Sequence, residues 1–559
     1  MFRIFPLRVC VLASALGTIP ALAQTRSATA GADQFFDLRR IDSLIGRREY
    51  AAAELLLIQA VARDTANGEV AYSLARMQDI AGRCSDAIPH YRAAWLVGFA
   101  GPYRALALAR CYAHVRDRES TLAWLDTALL YRLDGRTSLS RDTTFAFLLD
   151  DARFRRIAAL APASITSRED GWRFDIDLFS EEVKRLHPST QRIVFAADFD
   201  RRIAELASRV GALSDEAITV ELMRIATSLH DGHTNVWPTR AIHVLRMNTY
   251  EFPDGLYLID ADAPNGEWIG SRVTRIGGRT TEELRTLLAP LEHRDNELML
   301  RWTFPVYSGL VELLRQVGAS AADSGAWVDL ESPTRGHGHV FVRADTTWRE
   351  RKLFAPASAP RAAPRYLRNV EQNYWIEYDK DIDVMYWQFN QTWNSPGYPI
   401  SAFADSLWRA LTSTNARTLV LDMRLNNGGN GNLTKPLLGL LQAFERVDSA
   451  HRVFVITGRG TFSAAQIFLT RIEQMTKAIL VGEPSSSSPN FVGEDGDRLI
   501  LPFSRTRVNI SFRRHDEAAF DDYRRWIPVA VPVVLSADEY FSNRDPATEA
   551  IVEILRRGR

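Results

Sequence analysis

With 559 residues, the chain is long enough for three or four domains, each burying its own core. An apolar share of 46% and a charged share of 24% are ordinary for a globular protein in water. Sixty-eight basic residues balance 68 acidic ones, which argues against a chain built to hold nucleic acid or an anionic membrane surface.

The chain opens on a positive stretch (Arg3, Arg8), a short apolar run from Val9 to Leu16, and a small-x-small site, Ala21-Leu22-Ala23, before Gln24. This predicts a secretory signal peptide over residues 1–23 and a periplasmic or secreted protein. Gly17 and Pro20 break the run well short of the roughly 20 apolar residues of a membrane span, and no later stretch is long enough, so no integral membrane segment is expected after signal removal. Cys10 leaves with the signal. Cys84 and Cys111 remain, either as a disulfide in an oxidising compartment or as two buried thiols. No Cys-x-x-Cys or Cys/His cluster points to a metal, and no cofactor is expected.

Residues 36–160 are rich in Ala and Leu at helical spacing. Leu74 and Ala75 recur as Leu108 and Ala109, Tyr91 as Leu125, and Ala94 as Ala128, each 34 residues on. That step, with small residues where helices cross, predicts tetratricopeptide-like repeats and with them a surface for a protein partner. Helical spacing resumes over 165–235 with Leu178, Val183 and Leu186, and Ser214 caps a helix that ends near Leu229. Asp231-Gly232-His233-Thr234 follows almost at once. From 240 to 365 the pattern turns to short β-like segments. Within it, Val273 to Gly278 followed by a helical Thr281 to Leu288 resembles the strand–turn–helix of a PDZ-like module.

From 370 to 559 the pattern is α/β. Apolar runs at Leu419-Val420-Leu421, Val453 to Ile456 and Ile479-Leu480-Val481 suit strands buried on both faces, and helical segments alternate with them. Two loops after these strands carry unusual content. One is Asp422-Met423-Arg424-Leu425-Asn426-Asn427-Gly428-Gly429, in which Arg424 and Asn426 are read as braces. The other is Gly458 to Ala465, running from strand end into helix start. Ser463 would there be exposed at the carboxyl edge of a strand and at the positive end of a helix dipole. A helix N-cap is the other role open to that serine.

The order of these motifs resembles the tail-specific (C-terminal-processing, tricorn-like) serine peptidase family. Asp-x-Arg-x-Asn-x-Gly-Gly, the Thr461-Phe462-Ser463-Ala464-Ala465 turn, Val481-Gly482-Glu483, Asp231 to Thr234, Asp538-Glu539-Tyr540 and Arg544-Asp545-Pro546 carry the resemblance over roughly residues 170–559. It implies a ClpP/crotonase-like α/β protease core with mixed sheet and helices, preceded by helical domains and the small β module. It also implies hydrolysis of a peptide or protein substrate through an acyl-enzyme on Ser463. The family's lysine-type members place their base just past Val-Gly-Glu, where this chain has Ser485-Ser486-Ser487-Ser488, and no lysine follows Lys477. Lys477 is 14 residues along the helix from Ser463, roughly 21 Å away. The tricorn-like arrangement therefore fits better. It gives His233 as general base, His230 falling outside the matching position, and Asp522 as orienting acid, with Asp521 or Tyr523 as its competitors. The oxyanion donors would be the amide of Ala464 with that of Gly428 or Gly429. A catalytically inactive binding protein on the same fold, or an esterase on the same serine, are the alternatives.

Overall fold

The computed structural model describes residues 40–557 apart from 42–43, 46, 48, 163, 192, 238–241, 264, 348–362 and 494–497. The expected signal peptide and its cleavage site lie outside the described residues. The chain divides into two compact units, with the boundary between Ala128 and Leu129.

The first unit is helical. Gly68–Ile80 and Pro102–His114 begin 34 residues apart, as do Cys84–Leu96 and Arg118–Leu130. Small residues fill the crossings: Ala75, Ala87 and Ala107 are buried in one cluster with Tyr91, Leu108 and both cysteines. Cys84 and Cys111 are free thiols whose sulfurs lie within 4.8 Å of each other, beside Asp79.

In the second unit, helices Arg168–Leu186 and Asp215–Thr227 share a single core with the β-rich segment that follows. Trp172, Ile176, Leu222 and Ile225 pack in one cluster with Leu258, Val273, Val328 and Val342. The segments expected as separate at 165–235 and 240–365 are thus built on common ground. Helix Thr281–Leu288 does follow strand Arg272–Ile276, opened by a capping box between Thr280 and Glu283. The same core receives Leu499, Leu501 and Val508 from late in the chain.

The α/β part is one six-stranded sheet. Its strands are β1 (Tyr374–Asp379), β2 (Val384–Phe389), β3 (Thr418–Asp422), β4 (Arg452–Thr457), β5 (Ile479–Gly482) and β6 (Val531–Pro532), and they lie in chain order. β1 and β2 are antiparallel, and every later pair is parallel. Alternate residues serve opposite faces, as the two-residue period of a strand requires. Leu419, Leu421, Val453 and Val455 face one cluster, and Val420, Phe454 and Ile456 the other. The three crossover helices, Ile400–Thr414, Lys435–Val447 and Ala464–Met475, all bury their apolar stripes in the first cluster. Helix Pro546–Arg557 covers the second through Ala547 and Ile551. Sequential strand order with crossovers on one side leaves the carboxyl ends of β3 and β4 adjacent, so the two loops of unusual content meet there.

Candidate active site

Ser463 stands between β4 and helix Ala464–Met475, with φ +56° and ψ −121°. A non-glycine residue held there costs on the order of 1–3 kcal/mol and persists only where its surroundings impose it. The surroundings are specific. Thr461 Oγ1 donates to the carbonyl of Met423 (2.9 Å), the Phe462 amide to that of Asn426 (3.0 Å), and the Ser486 amide to the carbonyl of Thr461 (3.2 Å). Ser463 occupies the N-cap position, yet its side chain makes no capping bond. Its hydroxyl lies 2.9 Å from Nε2 of His233 instead, joining residues 230 positions apart.

His233 is carried to the serine by pairing across the second unit. Strand Asn235–Trp237 runs antiparallel to Arg507–Asn509, with Asn235 opposite Asn509. Just before that strand, Asp231 gathers the turn: its Oδ1 accepts the amides of His233 (2.8 Å) and Thr234 (2.6 Å) and the hydroxyl of Ser511 (2.6 Å). Its Oδ2 is 2.9 Å from Nε2 of His187. The Ser189 amide donates to the other ring nitrogen of His187, which leaves Nε2 as the protonated one. Burial alone would raise the Asp231 carboxyl. The hydrogen bond from His187, with those from Ser511 and the Thr234 amide, outweighs burial and holds it well below the usual carboxylate range.

The imidazole of His233 is clamped by aromatic faces. Phe462 stacks on one side at 4.4 Å and 24°, and Phe491 on the other at 5.4 Å and 8°. His515 continues the stack on Phe491 at 4.8 Å. Because Phe462 directly precedes Ser463, the same ring that orients the imidazole also belongs to the serine turn.

The glycine loop meets the serine from the other side. A Cβ on Gly428, whose φ is +110°, would lie 2.7 Å from Cβ of Ser463 and 3.0 Å from the Ala464 nitrogen. Its own amide donates to Oδ1 of Asn426 (3.0 Å). Gly428 therefore makes room for the nucleophile, and its amide, expected as one of two alternative oxyanion donors, is already given to Asn426. Among the described hydrogen bonds none engages the amides of Gly429 or Ala464. Gly429, at φ +135°, also lets the loop pass against Thr392.

Two arginines, Arg459 buried and Arg424 nearly so, brace these loops. Arg424 donates through Nε to Asp422 (3.0 Å) and through both terminal nitrogens to Asp545 (3.0 and 3.1 Å). Arg459, only 1% exposed, forks onto Glu483 (3.0 and 2.9 Å) and donates to the Glu251 carbonyl (2.6 Å).

Asp522 is engaged elsewhere. Its carboxylate accepts from Nε (3.0 Å) and Nη2 (2.7 Å) of Arg524, which also pairs with Glu473. Those bonds hold Asp522 below its ordinary range, and none of its described bonds reaches His233. The orienting role expected of it is not supported by this geometry: an arginine two residues on captures the carboxylate locally. Asp521 and Tyr523 are exposed, and His230 is exposed with φ +59°. Lys477 is exposed beyond the helix end at Met475, its amide on the carboxylate of Glu445 (2.9 Å). Sequence reasoning missed Phe491, Ser511 and His187, all of which act on the histidine turn from distant segments.

No family model matches the chain, and no curated protein matches it. Among solved structures it is similar to mature CPAF complexed with lactacystin, at a TM-score of 0.48 and 11% identity over 69% of this chain and 98% of that one. It is similar also to the photosystem II D1 C-terminal processing protease (TM-score 0.35, 12% identity, 70% and 98%). A third similarity is to the tricorn protease (TM-score 0.34, 14% identity, 70% and 37%). These similarities concern the course of the backbone alone.

Proposed function

We propose that the chain is a serine peptidase that hydrolyses peptide bonds through an acyl-enzyme on Ser463, with His233 as general base. The observation that carries this reading is the 2.9 Å approach of Ser463 Oγ to His233 Nε2 from a strained strand-to-helix turn, with no capping bond to occupy the hydroxyl. In the first step the hydroxyl proton passes to Nε2 while Oγ adds to the scissile carbonyl. The carbonyl oxygen takes up the negative charge opposite the amides of Gly429 and Ala464, at the positive end of the helix dipole. The adduct collapses, the amine leaves with the proton from Nε2, and an ester remains on Ser463. Water then loses a proton to His233, attacks the ester and releases the acid, restoring the serine. The sandwich of Phe462 and Phe491 holds the imidazole plane through both halves. The substrate is a peptide or protein, and export is read from the N-terminal sequence. The 34-residue step of the first unit supports tetratricopeptide-like repeats and a protein partner there.

Labelling with a fluorophosphonate, followed by peptide mapping, tests the reading. The serine oxygen displaces fluoride from phosphorus, and the adduct is expected on the peptide that carries Ser463. An unlabelled wild-type protein would instead favour the binding-protein alternative.

A further inference from the structure

We infer that Asp295 is a positioning residue for the proposed hydrolytic pair: its carboxylate ties the turn carrying His233 to the serine-rich segment 485–488. This rests on the reading of Ser463 and His233 as that pair. Asp295 belongs to none of the motifs at the site and comes from the segment before helix Glu297–Tyr307. Its Oδ1 accepts the Gly232 amide at 2.6 Å, one residue before His233, and its Oδ2 accepts the hydroxyl of Ser487 at 2.8 Å. The contact on the histidine side is close. A Cβ on Gly232 would lie 2.9 Å from Asp295 Oδ1 and 2.9 Å from the ring of Phe462. Gly232 is thus pressed between Asp295 and the residue preceding the nucleophile.

The neighbouring residue extends the clamp. Asn296 Nδ2 donates to the carbonyls of Ser485 (3.2 Å) and Arg525 (2.8 Å), while its Oδ1 caps the helix through the Leu298 amide (3.0 Å). The segment at 295–296 therefore holds three strands of chain at once: the histidine turn, the serine run and the loop before β6. The serine run in turn holds the nucleophile turn through the Ser486 amide on Thr461. Asp295 closes a loop of bonds with His233 at one end and Ser463 at the other. Both contacts need acceptor oxygens at a fixed place. A neutral amide supplies one to Gly232 and offers an N–H to the Ser487 hydroxyl, whereas a methyl supplies neither. A small misplacement of reacting groups costs about 10²-fold at the extreme, so loss of the clamp registers in the rate of chemistry rather than in binding.

The test is the saturation kinetics of fluorophosphonate labelling on full-length protein, with melting temperature recorded for each variant. Asp295→Ala is expected to lower the maximal labelling rate about tenfold while leaving the half-saturating concentration within about twofold. Asp295→Asn is expected to recover to within about threefold of wild type, and Ser487→Ala to lose a few-fold. Should Asp295→Ala fail to fold, the other two variants decide. An asparagine variant near wild type with a slowed Ser487→Ala supports the clamp, whereas an asparagine variant as slow as His233→Ala overturns it in favour of a need for charge. A wild-type rate in Asp295→Ala overturns it as well. An unreactive wild type would defeat the peptidase reading first, so the two failures are distinguishable.

Discussion

At Glu292 a carboxyl group lies three residues from Asp295, 1% exposed, with the Thr303 hydroxyl donating to it. Burial pushes it up to about 8, against smaller opposing effects of Thr303, Arg294 and Arg285. Between its ordinary value near 4.5 and that raised one, the folded protein holds a proton that the unfolded chain has lost. Stability from this group is present at low pH and is lost as pH rises through about 8. Glu292→Gln, which keeps an oxygen for Thr303, is expected to raise the melting temperature at pH 9 and to change it little at pH 4. A variant less stable than wild type at pH 9 would contradict the assignment. Ser463 and His233, which the fold brings to 2.9 Å, can be picked out along the chain because each sits in a local motif. Asp295 cannot, because its bonds span 63 and 192 positions and leave no pattern along the chain. Asp522 was misleading for the opposite reason: what occupies it is Arg524, two residues away, and a motif comparison does not weigh that.

Among elements, the strands of the α/β sheet were the most legible. Uniformly apolar runs are what a sheet covered on both faces demands, and β3, β4 and β5 lie where those runs are. The two loops that leave β3 and β4 depend on packing that the sequence alone does not display. Gly428 is the clearest case: along the sequence either glycine of the pair can offer its amide, whereas in the fold Gly428 is needed for its missing Cβ and its amide is bonded to Asn426. Gly428→Ala would force a methyl to within 2.7 Å of Ser463 Cβ on a backbone at φ +110°. Hydrolysis of fluorescein-labelled casein is expected to fall about 10²-fold with the circular dichroism spectrum unchanged. Activity within a few-fold of wild type would show that the serine turn has room to spare.

For the whole molecule, the site exists only when distant parts of the second unit are assembled. The histidine turn is held by strand 507–509, the serine turn by the loop after β3, and both by buried charge. Arg459 reaches from the nucleophile loop to the carbonyl of Glu251, 208 positions earlier, while its fork pairs with Glu483 after β5. Removing Arg459 leaves Glu483, 12% exposed, with only the longer contact to Arg301 at 3.9 Å, and breaking a pair this far from water costs up to roughly 3–5 kcal/mol. Arg459→Met should therefore lower the unfolding free energy by about that much in urea titration, with activity lost in parallel; a change under about 1 kcal/mol would place the bracing elsewhere. The gross order of helical, β-rich and α/β segments could be read from composition and periodicity. The sharing of one core by residues 172–229 and 245–342 could not, since it arises from which apolar faces meet after folding.

On the proposed mechanism His233, and no lysine, activates Ser463. Casein hydrolysis by Ser463→Ala, His233→Ala, the double variant and Lys477→Ala, each shown to be folded, distinguishes the two bases. The two single alanine variants should each lose at least about 10³-fold, and the double variant should be little worse than either, because groups acting as a unit are not additive. Lys477→Ala should stay within about twofold of wild type, its side chain lying beyond the far end of the nucleophile helix. Full activity in His233→Ala, or loss of activity in Lys477→Ala, would exclude His233 as the base.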